Sequence, residues 1–176
     1  MKKSKKILKI LNKYESFMSE KDLKDIKDLL NLDNDSEDIF SLFTDGACQF
    51  NDEYEPVNAG IGVVLKKNDK TILEFSDNIG IKTNNEAEYF ALIKGIELCI
   101  KNGVKNILIY ADSELVVKQV NREYKVKNDR MNYLFNEVSN LLSKLDSWSL
   151  NHILRDKNSE ADELSKQGLS KEKTNV

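Results

Sequence analysis

The stretch TNNEAEYFALIKGIELCI, residues 83–100, carries two glutamates at the head of an otherwise apolar segment. Successive residues of a helix turn by roughly 100°, and the apolar side chains of a packed helix gather on one face. On such a helix Glu88 lies at the centre of the apolar face. The other members of that face are Ala91, Leu92, Gly95, Ile96 and Cys99. Glu86 lies on the opposite, polar face, and we interpret it as an ordinary solvated glutamate.

A carboxylate on the buried face of a helix needs compensation, because an unpaired buried charge costs several kcal/mol. A metal ion, a basic partner or a raised pKa would each provide it. The alternative is a position in the first helical turn, near solvent and stabilised by the helix dipole. This helix alone leaves both a functional and a structural role open for Glu88.

The composition is that of a globular protein with room for one domain and a small appendage. The 176 residues are 40% hydrophobic and 32% charged, and no apolar run approaches the roughly 20 residues of a membrane span. The start lacks a secretory signal, and Cys48 and Cys99 offer neither a disulfide framework nor a zinc spacing. We therefore expect a cytoplasmic protein without a membrane partner. The net charge of −3 means that any nucleic-acid binding must come from local patches.

The first 38 residues form a separate segment, predicted to be a short N-terminal helical extension (1–38). Apolar positions over 7–11 and 23–30 indicate two amphipathic helices, with Ser19 and Asp22 as an N-cap pair for the second. Residues 31–38 form a polar, acidic linker. Six lysines precede Tyr14; they could contact phosphates, but solubility is the interpretation we favour. A nucleic acid or another protein remains open as a partner of this extension.

From Ile39 the sequence has the pattern of a mixed sheet. The predicted strands cover 39–45, 59–67, 71–80, 106–112 and 147–154. The predicted helices cover 83–100, 113–122, 131–145 and 158–168. The second and third strands form a hairpin at Asn68-Asp69. This order predicts an antiparallel meander extended by parallel strands, hence an α/β fold with helices on both faces of the sheet and a disordered tail over 171–176.

Three aspartates lie where such a sheet presents functional side chains. Asp45 ends the first predicted strand before Gly46, Asp112 ends the fourth, and Asp162 lies in the first turn of the last helix. The carboxyl ends of neighbouring strands open onto one crevice, so these aspartates and Glu88 are expected to converge there. Each aspartate alone is better explained as a helix cap or a turn.

Four converging carboxylates would repel one another without cations. Hard oxygen ligands without histidine or cysteine select Mg²⁺. Two such ions about 4 Å apart can activate a water and stabilise the leaving alkoxide of a phosphodiester. Together with the buried-face glutamate, the aspartates therefore favour a metal-dependent phosphodiesterase site.

Four motifs, taken in order and with their spacing, resemble ribonuclease HI, in particular the compact prokaryotic and archaeal branch that lacks a long basic handle. They are FTDGA (43–47), TNNEAEYFALIKGIELC (83–99), ADSELVVKQVN (111–121) and RDKNSEADELS (155–165). The resemblance covers residues 41–169. It implies an RNase H-like catalytic domain over 39–170, built on a mixed five-stranded sheet flanked by helices.

The resemblance also implies an activity and a ligand set. The activity is endonucleolytic hydrolysis of the RNA strand of an RNA/DNA hybrid, giving 5′-phosphate and 3′-hydroxyl ends. It depends on two Mg²⁺ ions bound with the substrate, with Mn²⁺ as a possible substitute. The family's metal-binding and catalytic carboxylates fall on Asp45, Glu88, Asp112 and Asp162. We expect a monomer whose partner is the hybrid duplex.

Other positions are assigned to the substrate by the same resemblance. Asn84 and Asn85 read the minor groove, where an A-form-like duplex displays its 2′-hydroxyls; one of them could also cap the helix. Cys48 lies on the DNA-strand side, although a small, partly buried thiol explains it equally well. Asn158, one helical turn before Asp162, is expected to face the same site and to cap the last helix.

The chain departs from the family in the loop before the last helix. Many relatives carry a histidine there, whereas this chain has Arg155. An arginine cannot act as a base but can hold a phosphate bidentately, so we assign it a phosphate contact. His152 falls inside the last predicted strand, which favours a packing or edge role.

Two charged segments bear on substrate binding. The turn after FTDGA is the long, acidic CQFNDEYEPVN (48–58), which would weaken binding of a polyanion unless it is turned away or gates access. The segment 118–130 is basic and contains Lys125 and Lys127, which we assign to phosphates of the DNA strand. A solvated connection is the alternative for this segment.

Two rival functions remain. A proofreading-type 3′ exonuclease has an acidic residue two positions after its first aspartate. Here that position is Ala47, which argues against this function. An RNase H-like binding module, which would hold hybrids or proteins with weak or no cleavage, predicts loss of a metal carboxylate, and none of the four is missing.

Overall fold

The computed structural model describes residues 18–29 and 38–172. The chain divides into two compact units between Asp38 and Ile39. In the first unit, helix α1 spans Glu20–Leu29. Ser19 Oγ accepts a hydrogen bond from the backbone N–H of Asp22 at 3.1 Å, which confirms the predicted N-cap. The first predicted amphipathic helix and linker residues 31–37 lie outside the described residues.

The second unit is built on one five-stranded sheet with the strand order β3-β2-β1-β4-β5. The strands are β1 (Phe40–Phe50), β2 (Pro56–Lys67), β3 (Lys70–Gly80), β4 (Asn106–Ala111) and β5 (Ser147–His152). Strand β2 runs antiparallel to both of its neighbours, β1 and β3, whereas β4 runs parallel to both β1 and β5. The predicted meander with parallel additions is therefore confirmed.

The helices follow the predicted order. They are α2 (Asn84–Lys101), α3 (Glu114–Val120), α4 (Asp129–Leu142) and α5 (Ser159–Leu169), with a short 3₁₀ helix at Arg155–Lys157. The largest difference is at α4, which begins at Asp129 because Asn128 caps it by accepting from the N–H groups of Arg130 and Met131. An Asn N-cap directly before a helix of this kind is a common start signal.

The prediction that Asp45 ends the first strand is wrong, because β1 continues to Phe50. Residues after Asp45 keep pairing with β2, whereas pairing with β4 stops at Thr44, opposite Ala111. Asp-Gly is a frequent turn signal, but Gly46 serves a different purpose here. A Cβ atom at Gly46 would overlap the backbone of Ala87 and Glu88. The glycine thus lets the start of α2 lie directly against β1.

The hairpin between β2 and β3 has the predicted turn. Asn68 and Asp69 both have positive φ, 50° and 63°. Two consecutive left-handed residues are what a type I′ turn requires, and Asn and Asp tolerate this conformation better than most residues.

The two faces of the sheet are covered by different helices. On β1, Leu42 and Thr44 point toward Gly95 of α2. Asp45, the residue after Thr44, points the other way, toward Ser165 of α5. Glycines on β2 leave room for α5, since a Cβ at Gly62 would overlap the backbone of Ala161. The core therefore lies between the sheet and helices α2, α3 and α4, with α5 packed closely on the opposite face.

The carboxyl-terminal residues extend the packing of α5. The sequence predicted a disordered tail over 171–176, but the carbonyl of Lys171 accepts a hydrogen bond from Asn78 Nδ2 at 2.9 Å. Residues 173–176 lie outside the described part of the chain. Among the helices that the structure describes, none combines the length and the apolar character of a membrane span.

Candidate active site

Three of the four predicted carboxylates meet at one point. Asp45, Glu88 and Asp112 each offer an oxygen, and these oxygens all lie within 4.8 Å of one another. Asp45 comes from β1, Glu88 from the first turns of α2, and Asp112 from the residue after β4. Thr44 pairs with Ala111 at the end of the parallel ladder, and the residue that follows each of them is an aspartate. The end of this pairing is what brings the two aspartates together.

Helix α2 places Glu88 against the sheet. Glu88 is only 6% exposed, and the predicted apolar face, with Ala91, Leu92 and Ile96, is buried with it. Glu88 therefore lies on the face that the helical periodicity indicated.

The cap of α2 differs from the prediction. Thr83, rather than Asn84 or Asn85, is the N-cap residue, and it forms a capping box with Glu86. The Glu86 carboxylate accepts from the backbone N–H of Thr83 at 2.8 Å. Glu86 is thus more than a solvated side chain, because a Thr-x-x-Glu pattern lets both residues satisfy free backbone donors. The two asparagine side chains are left exposed beside the site.

Without a bound cation, the ionised forms of the clustered carboxylates are energetically unfavourable. Burial raises the pKa of Glu88 to about 9, and the charges of Asp45 and Asp112 contribute to the rise. Burial also raises the pKa of Asp45 to about 6, with an added rise from Asp112 and Asp162 and an opposing effect of a hydrogen bond from Ser165. Oxygen donors that repel one another in a buried pocket fit a hard divalent cation such as Mg²⁺, which would remove the repulsion.

Asp162 is held apart from this cluster. One of its oxygens accepts from Arg155 Nε at 2.9 Å and from Arg155 Nη2, and the other accepts from Lys166 Nζ. Burial acts to raise the pKa of Asp162, but these bonds outweigh it and hold the pKa below its usual value. The predicted phosphate-binding Arg155 therefore pairs with the fourth predicted ligand.

Asn158 is buried and binds the backbone of β1. Its side chain is 1% exposed and donates from Nδ2 to the carbonyl of Thr44 at 3.0 Å. It makes no side-chain cap to α5. Asn158 therefore binds the backbone of β1 at the last residue that pairs with β4. The expected helix cap is thus replaced by a bond that ties the start of α5 to β1, and the expected substrate contact stays a prediction.

The site opens into a cleft of about 530 Å³. Besides the three clustered carboxylates, the lining includes Asn84, Cys48 and Arg155. A second cleft of about 470 Å³ is lined by Asn85, Lys125, Lys127 and Arg130. The predicted substrate residues therefore divide between two clefts, and the neighbouring Asn84 and Asn85 contribute to different ones.

Cys48 is half-buried at the edge of the first cleft. Its Sγ donates to the carbonyl of Lys82 at 3.1 Å, and burial raises the pKa of the thiol. This environment favours the neutral thiol over a nucleophilic thiolate.

His152 lies at the end of β5, the edge strand of the sheet, and is exposed. Its Nε2 is 3.2 Å from the backbone oxygen of Asp112. An edge position agrees with the role expected for it.

Ser165 and Lys166 were not predicted from the sequence. Both contact the predicted carboxylates: Ser165 Oγ donates to Asp45 Oδ2, and Lys166 binds Asp162. They follow Asp162 by three and four residues, so they share its side of α5. Helical spacing from Asp162 was the signal that could have identified them.

Comparison with known proteins agrees with this geometry. A family described as "Reverse transcriptase-like" matches residues 43–168. Ribonuclease HI of Halobacterium salinarum is 35% identical over a segment that covers 72% of this chain and 62% of that protein. The bifunctional protein Rv2228c of Mycobacterium tuberculosis is 34% identical over 65% of this chain, which spans 32% of it. The chain thus covers less than two thirds of the length of these curated relatives.

Solved structures show the same fold. RNase H1 from Halobacterium salinarum superposes with a TM-score of 0.70 at 33% identity, covering 74% of this chain and 97% of the other. LC11-RNase H1, solved in complex with an RNA/DNA hybrid, gives a TM-score of 0.69 at 34% identity, covering 74% and 96%. The chain therefore belongs to the reverse transcriptase-like family and has the ribonuclease H1 fold.

Proposed function

We propose that this chain is an endoribonuclease that hydrolyses the RNA strand of RNA/DNA hybrids and leaves 5′-phosphate and 3′-hydroxyl ends. The observation that carries the proposal is the meeting of Asp45, Glu88 and Asp112 within 4.8 Å at the floor of an open cleft. The names of the relatives support it, since several are called ribonuclease H or HI. One neighbour of similar structure was solved with a hybrid bound.

The three clustered carboxylates would hold the metal, with Asp162 as the fourth ligand. The donor set favours Mg²⁺, with Mn²⁺ as a substitute and two ions in the presence of substrate. When bound, such ions lower the pKa of water and stabilise negative charge on a leaving oxygen. Asp162, which is bonded to Arg155 and Lys166, would have to give up part of this pairing to hold such an ion. Arg155, once released, has the fork of donors that suits a phosphate.

The remaining groups orient the duplex. The exposed amides of Asn84 and Asn85 offer donors and acceptors to a minor groove. Lys125 and Lys127 offer positive charge to the DNA-strand phosphates, and Cys48 lies on the wall of the first cleft. The expectations of a cytoplasmic monomer, and of a further nucleic-acid or protein partner for the N-terminal extension, stay predictions.

The test is cleavage of an end-labelled RNA/DNA hybrid, with RNA/RNA, DNA/DNA and single-stranded RNA alongside, with and without Mg²⁺. Asp45→Asn should lower the rate by more than about 1,000-fold, because a metal ligand supports several kcal/mol of transition-state stabilisation. Asp146→Asn, an exposed aspartate in the loop before β5, is the matched control and should cut normally. Tight hybrid binding without cleavage in either Mg²⁺ or Mn²⁺ would favour a binding module instead.

A further inference from the structure

Ser165 of α5 hydrogen-bonds to the side chain of Asp45 and to the backbone of Asp162. It is 0% exposed. Its Oγ donates to Asp45 Oδ2 and also lies 2.8 Å from the backbone oxygen of Asp162. A serine in a helix commonly returns its proton to the carbonyl three or four residues back. Here a carboxylate is available as the second acceptor, and a charged acceptor binds the same proton more strongly.

The position of this hydroxyl is fixed by the backbone around it. Helix α5 lies so close to β2 that a Cβ at Gly62 would overlap the carbonyl of Ala161 and crowd the backbone N–H of Ser165. A Cβ at Gly60 would likewise overlap the carbonyl of Ser165. Asn158 ties the start of the same helix to Thr44. The helix cannot slide along the sheet, so the Ser165 hydroxyl is held in one place beneath Asp45.

Asp45 needs such a partner because of where it lies. Asp45 is 4% exposed, and besides burial the negative charges of Asp112 and Asp162 raise the pKa of its carboxyl, so both aspartates repel it. A carboxylate in that position would rotate about its Cβ–Cγ bond to reduce the repulsion. A donor to Oδ2 fixes the plane of the carboxylate and leaves the other oxygen for a cation. Loss of a group that orients a metal ligand in this way typically weakens metal binding by about 10- to 100-fold.

We propose that Ser165 is a positioning residue, whose hydroxyl holds the Asp45 carboxylate in the orientation that binds the divalent cation. The inference rests on the proposed function only for the identity of the cation, and it is tested by metal binding in the absence of nucleic acid. Ser165 touches neither substrate nor the reacting atoms.

The experiment compares Ser165→Ala with Ser76→Ala in the full chain. Ser76 Oγ donates to the carbonyl of Leu164 at 2.6 Å, so its loss also removes one hydroxyl bond to α5 without touching Asp45. Alanine is a strong helix former, and thermal unfolding verifies that both variants fold. Mg²⁺ and Mn²⁺ binding to each protein is measured by calorimetry without substrate, and kcat, KM and the Mg²⁺ dependence of hybrid cleavage are measured separately.

We expect Ser165→Ala to weaken Mg²⁺ binding by about 10-fold or more, the range seen for groups that orient metal ligands. The Mg²⁺ concentration for half-maximal cleavage should rise in parallel, with KM for the hybrid unchanged. Ser76→Ala should bind Mg²⁺ like the parent protein. If both variants bind Mg²⁺ equally and differ from the parent only in Tm, Ser165 is merely structural and the proposal is overturned. If the parent protein binds Mg²⁺ but cuts no hybrid, the proposed function fails, while the comparison of metal affinities still tests Ser165.

Discussion

The two sides of the site are built in different ways. On the carboxylate side, Asp45 and Glu88 are buried, and each is held by backbone packed directly behind it. On the basic side, Lys125 and Lys127 are exposed between α3 and α4, and Arg130, in the first turn of α4, lies with them along the second cleft. The first side is fixed by close packing of main chains, and the second depends on long side chains in water.

We therefore expect the carboxylate side to govern the chemical step and the basic side to govern affinity for the substrate. Close packing transmits small displacements directly to the carboxylates, so the carboxylate side should tolerate little change. Exposed lysines act through screened, long-range attraction, so their number and position can vary without loss of the reaction. Substitutions on the two sides should therefore differ in the kinetic constant that they change.

Gly46→Ala should have the largest effect, because a Cβ there overlaps the backbone of Ala87 and Glu88 rather than a movable side chain. The start of α2 must shift, which moves Glu88 away from Asp45. We expect kcat to fall by more than about 100-fold, the cost of a displacement of roughly 1 Å in a positioned group. The free energy of unfolding should fall by about 1–3 kcal/mol, as for other overpacked sites. Steady-state cleavage kinetics and urea unfolding measure the two effects.

Gly103→Ala is the control for that substitution. Among the described residues, nothing lies within 4 Å of a Cβ at Gly103, although its φ of +74° disfavours a side chain. We expect a loss of about 1 kcal/mol in stability with normal kcat. Normal kcat in Gly46→Ala as well would mean that the start of α2 can move without consequence, which would break the contrast between the two sides.

Glu88→Gln tests the electrostatic cost of the carboxylate side through stability. The folded-state pKa of Glu88, about 9, lies above its ordinary value of 4.5. Between these pH values the folded protein keeps a proton that the unfolded chain releases, so stability is lost as pH rises through this window. In EDTA, the Tm of the parent protein should fall from about pH 5 to about pH 9. Glu88→Gln should flatten this slope and be more stable at about pH 8, on the order of 2 kcal/mol, while losing activity.

Glu97→Gln is the matched control, since Glu97 lies exposed on the same helix. Its Tm profile in EDTA should follow that of the parent protein. A parent Tm that instead rises across this pH range would show that Glu88 is ionised in the folded, metal-free protein. Saturating Mg²⁺ should reduce the fall in Tm, because a bound cation stabilises the ionised carboxylates.

The sequence predicted the carboxylates themselves better than the residues that hold them in place. Helical periodicity alone placed Glu88 on the buried face, because burial of α2 follows a simple repeat. The sequence could not show that β1 runs past Asp45, because Asp-Gly is also a common turn. Only the packing of α2 against β1 explains why residue 46 is a glycine. The role of Asn158 could not be predicted for a similar reason: its partner, the carbonyl of Thr44, lies 114 residues away in the sequence.

Lys125→Ala with Lys127→Ala tests the basic side. Both lysines line the second cleft, away from the cluster of Asp45, Glu88 and Asp112. We expect KM for the hybrid to rise about 10-fold at low salt, with kcat unchanged. The slope of log affinity against log salt should become shallower by about 1 for each phosphate that the variant no longer binds.

Lys101→Ala with Lys105→Ala is the control for this double variant. It removes the same charge at the far ends of α2 and β4 and should leave KM for the hybrid nearly unchanged. An equal change in both double variants would assign the effect to net charge rather than to the cleft.

The smallest effect is expected at the acidic loop that joins β1 to β2. Asn51 Oδ1 accepts from the backbone N–H groups of Glu53 and Glu55, at 3.0 and 2.8 Å, so the loop is shaped by Asn51 and not by its own carboxylates. Replacing Asp52, Glu53 and Glu55 by their amides should therefore preserve the loop and remove only charge.

This loop begins after Phe50, close in sequence to Cys48, which lines the first cleft, so its charges lie at the same end of β1 as the site. Screened repulsion over such a distance is weak, and we expect KM for the hybrid to fall about twofold at low salt and to match the parent protein near about 0.5 M salt. Hybrid cleavage measured across a salt series separates this effect from a structural one, because a structural effect would persist at high salt. An unchanged KM at every salt concentration would mean that the loop is turned away from the duplex, and the basic side alone would then set the electrostatic part of affinity.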